Sequence, residues 1–193
     1  MLSQILPYVV STFLGLLASL GAWSIVFHFW RPVIAFSSRV SRMGAADEPG
    51  GFAYRIKFWN SGRRTIVDVT CWARLRIQGL NASRPANYEV TDLPVSFDGH
   101  IPVMFPRKKQ GATHLVRIRT NKPAEFSRSV YPQEIRDHAT NGTLTLEHLL
   151  SLGTSATVQL IGFGSDSFSG SRRMMASPEY KIADIVDRPF ARD

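Results

Sequence analysis

The polar loop of residues 164–173, GSDSFSGSRR, carries the side chains best suited to binding chemistry. Successive backbone N–H groups together with two arginines could hold a phosphate, because both kinds of donor favour an anion. The alternative interpretation is a solvated hairpin loop. The residues of this candidate anion or ligand loop are Ser165, Asp166, Ser167, Ser169, Arg172 and Arg173.

No catalytic constellation stands out elsewhere in the chain. The five histidines are scattered, and no two have a metal-ligand spacing such as His-x-x-x-His. Gly162 and Gly164 begin like a dinucleotide fingerprint, but Ser167 occupies the position of the third glycine. A Gly-x-Ser-x-Gly nucleophile elbow is also missing there. The pattern favours a protein that is not an enzyme and needs neither cofactor nor metal.

The chain is strongly basic, with a formal net charge of +8 over 193 residues. This charge suits anionic lipid headgroups near a membrane, while nucleic acid is a less favoured partner. Solubility and a positive-inside bias are the alternative explanation. The residues predicted to face lipid are Arg31, Arg39, Arg42, Arg107, Lys108 and Lys109.

One apolar run near the N-terminus, from Ile5 to Trp30, contains no Asp, Glu, Lys or Arg. A helix of roughly 20 residues crosses a bilayer, so residues 1–31 are predicted to form a membrane anchor. A cleaved signal peptide is less favoured, because no basic residue precedes the run and an aromatic belt closes it. Three arginines follow the run, which predicts an N-terminus outside and a cytoplasmic C-terminal domain. The lone Cys71 suits a reducing compartment.

Small side chains recur along the predicted anchor at helical spacing, as close packing of two membrane helices requires. Ordinary membrane-helix composition is the alternative explanation. If the stripe is an interface, the anchor self-associates, and the protein could be an oligomeric effector or pore-forming subunit. The stripe consists of Gly15, Ala18, Ser19 and Ala22.

Beyond the anchor, residues 32–51 are predicted to be a linker and residues 52–193 a β domain. Period-two alternation predicts a strand over 52–59 and a second one over 67–77, antiparallel to the first, with Cys71 facing inward. Thr145 is the predicted N-cap of one short leucine-rich helix, which Gly153 could end. Many short strands with frequent turns indicate an all-β antiparallel sandwich.

Two stretches of the domain resemble the cytoplasmic domain of inward-rectifier potassium channels. The first stretch is 58–69, FWNSGRRTIVDV, which runs on to Arg74 and Leu75. The second begins with a leucine-rich helix at 146–150 and continues into a V-x-L-x-G strand at 158–162. It then includes Tyr180 and an R-x-F ending at 188–190. The resemblance implies an immunoglobulin-like sandwich after a membrane helix. It also implies lipid binding by basic residues beside the helix, where Arg31, Arg39 and Arg42 lie. The sequence has no Thr-x-Gly-Tyr-Gly filter and no second span, so conduction is not implied.

The predicted protein is therefore a single-pass membrane protein with a cytosol-facing, immunoglobulin-like β-sandwich. Its favoured role is a binding or sensing module at the cytoplasmic membrane surface, in contact with anionic lipids and with a protein partner or a second copy of itself. The alternative is an anchored effector or pore-forming subunit that oligomerises through the helix.

Overall fold

The computed structural model describes residues 2–29, 32–81, 83–96, 100–106, 113–120 and 123–190. The helices are α1 (Leu2–Phe29), α2 (Pro123–Phe126), α3 (Gln133–Thr140) and α4 (Leu146–Leu150). The strands are β1 (Ile34–Phe36), β2 (Val40–Gly44), β3 (Phe52–Asn60), β4 (Ile66–Gln78), β5 (Tyr88–Leu93), β6 (His100–Met104), β7 (His114–Ile118), β8 (Ser155–Asp166), β9 (Arg172–Ala176) and β10 (Ile185–Val186).

Helix α1 is long and apolar enough to cross a membrane. Its 19-residue window Pro7–Ile25 has a mean hydropathy of 1.6, and none of that window is buried against the rest of the chain. The hydroxyls of Ser11 and Thr12 donate to the Tyr8 carbonyl, and Ser19 donates to the Gly15 carbonyl. These polar groups are therefore satisfied within the helix itself, as an apolar environment requires.

The first sheet is built around β3. Strand β7 pairs with one edge of β3, while β1 and β2 share the other edge at its two ends. Residues 32–51 were predicted to be a linker, but β1 and β2 lie within them, so this stretch belongs to the folded domain. Strand β10 pairs with β2 in parallel, which departs from the purely antiparallel arrangement expected from the sequence.

The second sheet is built around β4. Strand β8 lies along one edge of β4 and is followed by β9, while β5 and β6 share the other edge. The sequence predicted that β4 runs antiparallel to β3, but the two strands belong to different sheets and do not pair with each other, because the turn between them carries the chain from one sheet to the other. Alternation shows which face of a strand is buried, but not which strand lies beside it.

Buried side chains from both sheets form one hydrophobic core. The inward positions of β3 include Tyr54, Ile56 and Phe58, and those of β4 include Leu75 and the buried Cys71. Three short helices, α2, α3 and α4, contribute further side chains to this core. The sequence predicted one short helix in the domain. Thr145 does cap α4, since its hydroxyl accepts the His148 N–H at 3.2 Å.

Candidate functional site

The junction between α1 and the β domain is short. The helix ends at Phe29 and β1 begins at Ile34, a span of at most about 18 Å for extended chain. The start of β1 is fixed from two sides. The carbonyl of Val33 accepts the N–H groups of Ser61 and Gly62 at 2.9 and 3.3 Å, and the Ile34 N–H points to the Met175 sulfur at 3.2 Å. The β3–β4 turn and β9 therefore lie at the same end of the domain as the helix.

Asn60 joins three segments at this end. Its fully buried side chain donates to the carbonyls of Arg64 and Met104 at 2.7 and 3.0 Å and accepts the Gly62 N–H at 2.9 Å. The Ser167 N–H adds the β8–β9 hairpin by donating to the carbonyl of Thr65 at 3.1 Å. The end of β3, the β3–β4 turn, the end of β6 and the β8–β9 hairpin thus form one continuous surface.

We call the exposed part of this surface the anchor-side rim. It alternates apolar with basic side chains. Phe168 is 71% exposed and Phe105 is 50% exposed, large fractions for aromatic residues. The guanidinium carbon of Arg64 lies 4.5 Å from the centre of the Phe168 ring. The rim consists of Val33, Arg63, Arg64, Phe105 and Phe168.

The loop predicted to bind an anion forms the β8–β9 hairpin, and its donors are already used. The buried carboxylate of Asp166 accepts the N–H of Phe168 at 3.0 Å and both the N–H and hydroxyl of Ser169 at 2.7 and 3.0 Å. Burial by itself raises the pKa of Asp166, but these bonds and the charge of Arg64 outweigh it and hold that pKa below its ordinary value. The N–H groups of Phe168 and Ser169, which an incoming phosphate would need, are thus held by Asp166.

The other residues of that loop do not converge on a site. Ser165 and Arg172 form a cross-strand pair at the base of the hairpin, with the Arg172 guanidinium over the ring of Phe163. Arg173 and Ser167 are exposed.

Among the predicted lipid-facing residues, Arg42 is placed at the opposite end of the domain. Its Nη1 lies 2.8 Å from Glu147, and its other nitrogens contact Asp187 at 2.5 and 2.6 Å. Strand β2 carries Arg42 beside Tyr54, six residues along β3 from Asn60, so closeness in sequence to α1 does not place it near the helix. Arg39 is exposed in the β1–β2 turn. The remaining four, Arg31, Arg107, Lys108 and Lys109, lie outside the described residues.

The predicted helix-packing residues all lie exposed on α1. Their spacing places Gly15, Ala18, Ser19 and Ala22 along one side of the helix. No other atom lies within 4 Å of the position that a Cβ would take at Gly15. A second helix could therefore approach this side, as the packing hypothesis requires.

A groove of about 460 Å³ on the outer face of the first sheet was not predicted from the sequence. Three arginines line it: Arg55 from β3, Arg117 from β7, and Arg119 from the residue that follows β7. Arg55 and Arg117 are direct cross-strand partners, so like charges face each other in register. Ser96 and the exposed Leu115 also line it, and we call this feature the arginine groove.

One buried carboxylate stands beside the groove. Glu48 contacts the Arg117 Nη1 at 2.7 Å and the Arg119 Nε at 3.6 Å. The exposed Asp47 lies 3.8 Å from the same Arg117 nitrogen. The sequence did contain a partial signal, because Arg55, Arg117 and Arg119 all occupy outward positions of alternating strands. What it could not show was that β3 and β7 pair in this register.

Two histidines are stacked at the end of the domain opposite the rim. The rings of His138 and His148 lie 4.2 Å apart, and His138 Nδ1 is 2.9 Å from the Thr143 hydroxyl. Burial and, secondarily, the neighbouring His138 lower the pKa of His148. Within the ranges that the structure describes, no three His, Cys, Asp or Glu side chains are grouped to hold a metal ion.

No protein-family model matches this chain, and no curated protein matches its sequence.

Proposed function

We propose that this chain is a single-pass membrane protein whose β domain acts as a binding module at the membrane surface. In this proposal α1 spans the bilayer, the two sheets form an immunoglobulin-like sandwich in the cytoplasm, and the anchor-side rim contacts anionic headgroups. The observation that carries the proposal is the short junction between α1 and β1. A helix in the bilayer keeps the start of β1 within about 18 Å of the membrane boundary.

The composition of the rim supports the same proposal. Exposed phenylalanines favour the boundary between headgroups and acyl chains, and arginines beside them attract anionic lipids. Phe168 and Phe105 supply the apolar part, while Arg63 and Arg64 supply the charge. In sequence, the basic triplet 107–109 follows Phe105 after a single proline, which adds positive charge to the same part of the chain. Each basic residue close to an anionic surface contributes about 1 kcal/mol.

A depth measurement tests the contact between rim and membrane. Cys71 is buried, so a cysteine introduced by Phe168→Cys can be labelled selectively with a polarity-sensitive dye in the full chain, reconstituted in vesicles. The matched control is Thr140→Cys, an exposed position at the end of α3. We expect lipid-borne quenchers to reach the dye at 168 and not at 140. Equal quenching at the two positions would refute the rim contact.

The charge contribution has its own control pair. Arg63→Gln removes an exposed rim arginine, and Arg84→Gln removes an exposed arginine from the loop after β4, at the other end of the domain. In vesicles containing phosphatidylglycerol, we expect Arg63→Gln to reduce quenching at position 168 and Arg84→Gln to leave it unchanged. The difference should shrink at high salt, because salt screens exposed charges. A salt-independent result, or equal effects of the two variants, would contradict an electrostatic contact.

Topology is tested separately. A reporter that is active only outside the cytoplasm, fused after Asp193, should be silent, because basic residues follow the span and none precedes it. A strong signal would overturn the cytoplasmic placement of the β domain.

A further inference from the structure

The arginine groove concentrates positive charge where a sheet ordinarily avoids it. Like charges directly opposite on paired strands are destabilising, yet Arg55 and Arg117 are register partners. Arg119 lines the same groove from two residues further along. A cluster of this kind costs stability unless counter-charges offset it.

The counter-charges in the described part of the chain offset only part of the cluster. The Glu48 carboxylate forms ion pairs with both Arg117 and Arg119, while the exposed Asp47 carboxylate lies 3.8 Å from Arg117. Arg55 contacts the sulfur of Met43 at 3.3 Å, and a thioether is a weak acceptor. Among the residues that the structure describes, the three guanidinium groups thus meet one buried and one exposed carboxylate, which leaves an excess of positive charge beside an open groove.

The donors of the cluster are not exhausted by these contacts. A guanidinium carries five N–H donors in a planar fork, which suits the oxygens of a phosphate or carboxylate. The contacts to Glu48 engage one nitrogen of each arginine, Nη1 of Arg117 and Nε of Arg119. The groove volume of about 460 Å³ falls in the range of small-molecule sites.

The groove lies away from the anchor. Arg55 precedes Asn60 by five residues on β3, which at about 3.3 Å per residue places it roughly 17 Å along the strand from the rim. A bilayer in contact with the rim therefore leaves the groove open to the aqueous phase. This position favours a ligand that arrives from solution.

We propose that the arginine groove is a binding site for a phosphate group, held by Arg55, Arg117 and Arg119. The phosphate belongs to a soluble ligand or to a headgroup that extends from the membrane. A phosphate group, which carries one negative charge as a diester and up to two as a monoester or free phosphate near neutral pH, supplies negative charge that the cluster lacks and accepts several charge-assisted hydrogen bonds at once. The site is independent of the rim, and either proposal can fail without the other.

The test uses the full chain in maltoside micelles, which carry no phosphate, with inorganic phosphate as the probe. Nitrogen-15 labelled arginine allows each side-chain Nε–H signal to be followed by NMR. We expect saturable shifts at Arg55, Arg117 and Arg119. Arg74, which faces outward on β4 and pairs with Asp92 at 3.0 Å, is the internal control and should not move. Absence of saturable shifts at the groove would overturn the proposal.

Two variants separate binding from folding. We expect Arg55→Gln to weaken phosphate binding about tenfold, the equivalent of 1.4 kcal/mol, while Arg74→Gln leaves it unchanged. Removal of Arg55 also relieves the repulsion with Arg117, so the variant should unfold at no lower temperature than the wild type. Equal affinity of wild type and Arg55→Gln would refute the assignment.

A second arm identifies the source of the phosphate. Phosphatidylglycerol is added to the micelles in place of inorganic phosphate, with phosphatidylcholine as the comparison. If inorganic phosphate shifts the groove arginine signals and phosphatidylglycerol does not, the ligand is soluble. If phosphatidylglycerol also shifts them, a lipid headgroup reaches the groove. Silence with inorganic phosphate would overturn the site even if phosphatidylglycerol shifted the groove signals, because the proposal assigns binding to the phosphate group itself.

Discussion

Asn60 offers the sharpest test of how the anchor-side end is held together. Its side chain is fully buried and makes three hydrogen bonds, of 2.7, 3.0 and 2.9 Å, to the groups of three other residues. Asn60→Ala removes all three and leaves the carbonyls of Arg64 and Met104 without this donor. At about 1 kcal/mol of net stability per bond, the loss is about 3 kcal/mol. For a domain of this size that corresponds to a fall of roughly 10 °C in Tm.

The assay is thermal unfolding of the full chain in detergent, followed by near-UV circular dichroism. Asn81→Ala is the matched control, because the Asn81 side chain also bonds within a turn, to Ser83, but is exposed. We expect that control to change stability by no more than about 0.5 kcal/mol. If the two variants lose the same stability, the buried hydrogen bonds of Asn60 contribute no more than the exposed ones of Asn81, and the reasoning is wrong.

Further predictions concern single groups in the β domain. The pKa of Asp166 is held below its ordinary 3.8, so the ionised carboxylate stabilises the fold above that pH, and this contribution is lost as the pH falls below it. We therefore expect Asp166→Asn to unfold at a lower temperature than wild type at pH 7. The difference in stability between the two proteins should disappear in acid titrations. Burial raises the pKa of the Cys71 thiol to about 11, so we expect maleimide to label the chain only on unfolding, and labelling of the native protein would contradict this. Gly153 has φ of +63°, and a Cβ at this position would lie 2.0 Å from the carbonyl oxygen of Gln78. We therefore expect Gly153→Ala to lower the free energy of unfolding, measured by denaturant titration, by at least about 3 kcal/mol. Gly170→Ala, with φ of +66° and open space around it, should cost only about 1 kcal/mol, and equal losses would exclude the steric explanation.

The sequence predicted those parts of the fold that depend on local pattern. The apolar run predicted α1, and alternation predicted β3, β4 and the inward position of Cys71, because the side-chain period of a strand is set by its own backbone. The Thr145 cap was predicted for the same reason, since the capping contact spans only three residues.

The parts that were missed depend on contacts between distant segments. Strand β1 has only three residues, too few for a periodic pattern, so its segment was interpreted as a linker. The arginine groove combines Glu48, Arg55 and Arg117, which lie up to 69 positions apart and meet only through strand pairing. Arg42 shows the converse, since nearness to the helix in sequence did not place it near the helix in space.

The way β1 joins the sheet has a mechanical consequence. β1 lies antiparallel to β3 over three register pairs, from Ile34 with Asn60 to Phe36 with Phe58, and α1 ends at Phe29, five positions before the first residue of β1. A pull directed along β1 from its first residue would load these pairs together in shear, instead of opening them one at a time. With α1 held in a bilayer, as we propose, such a pull would reach β3, the strand that also carries Arg55. A single continuous strand thus joins the attachment point of α1 to the arginine groove.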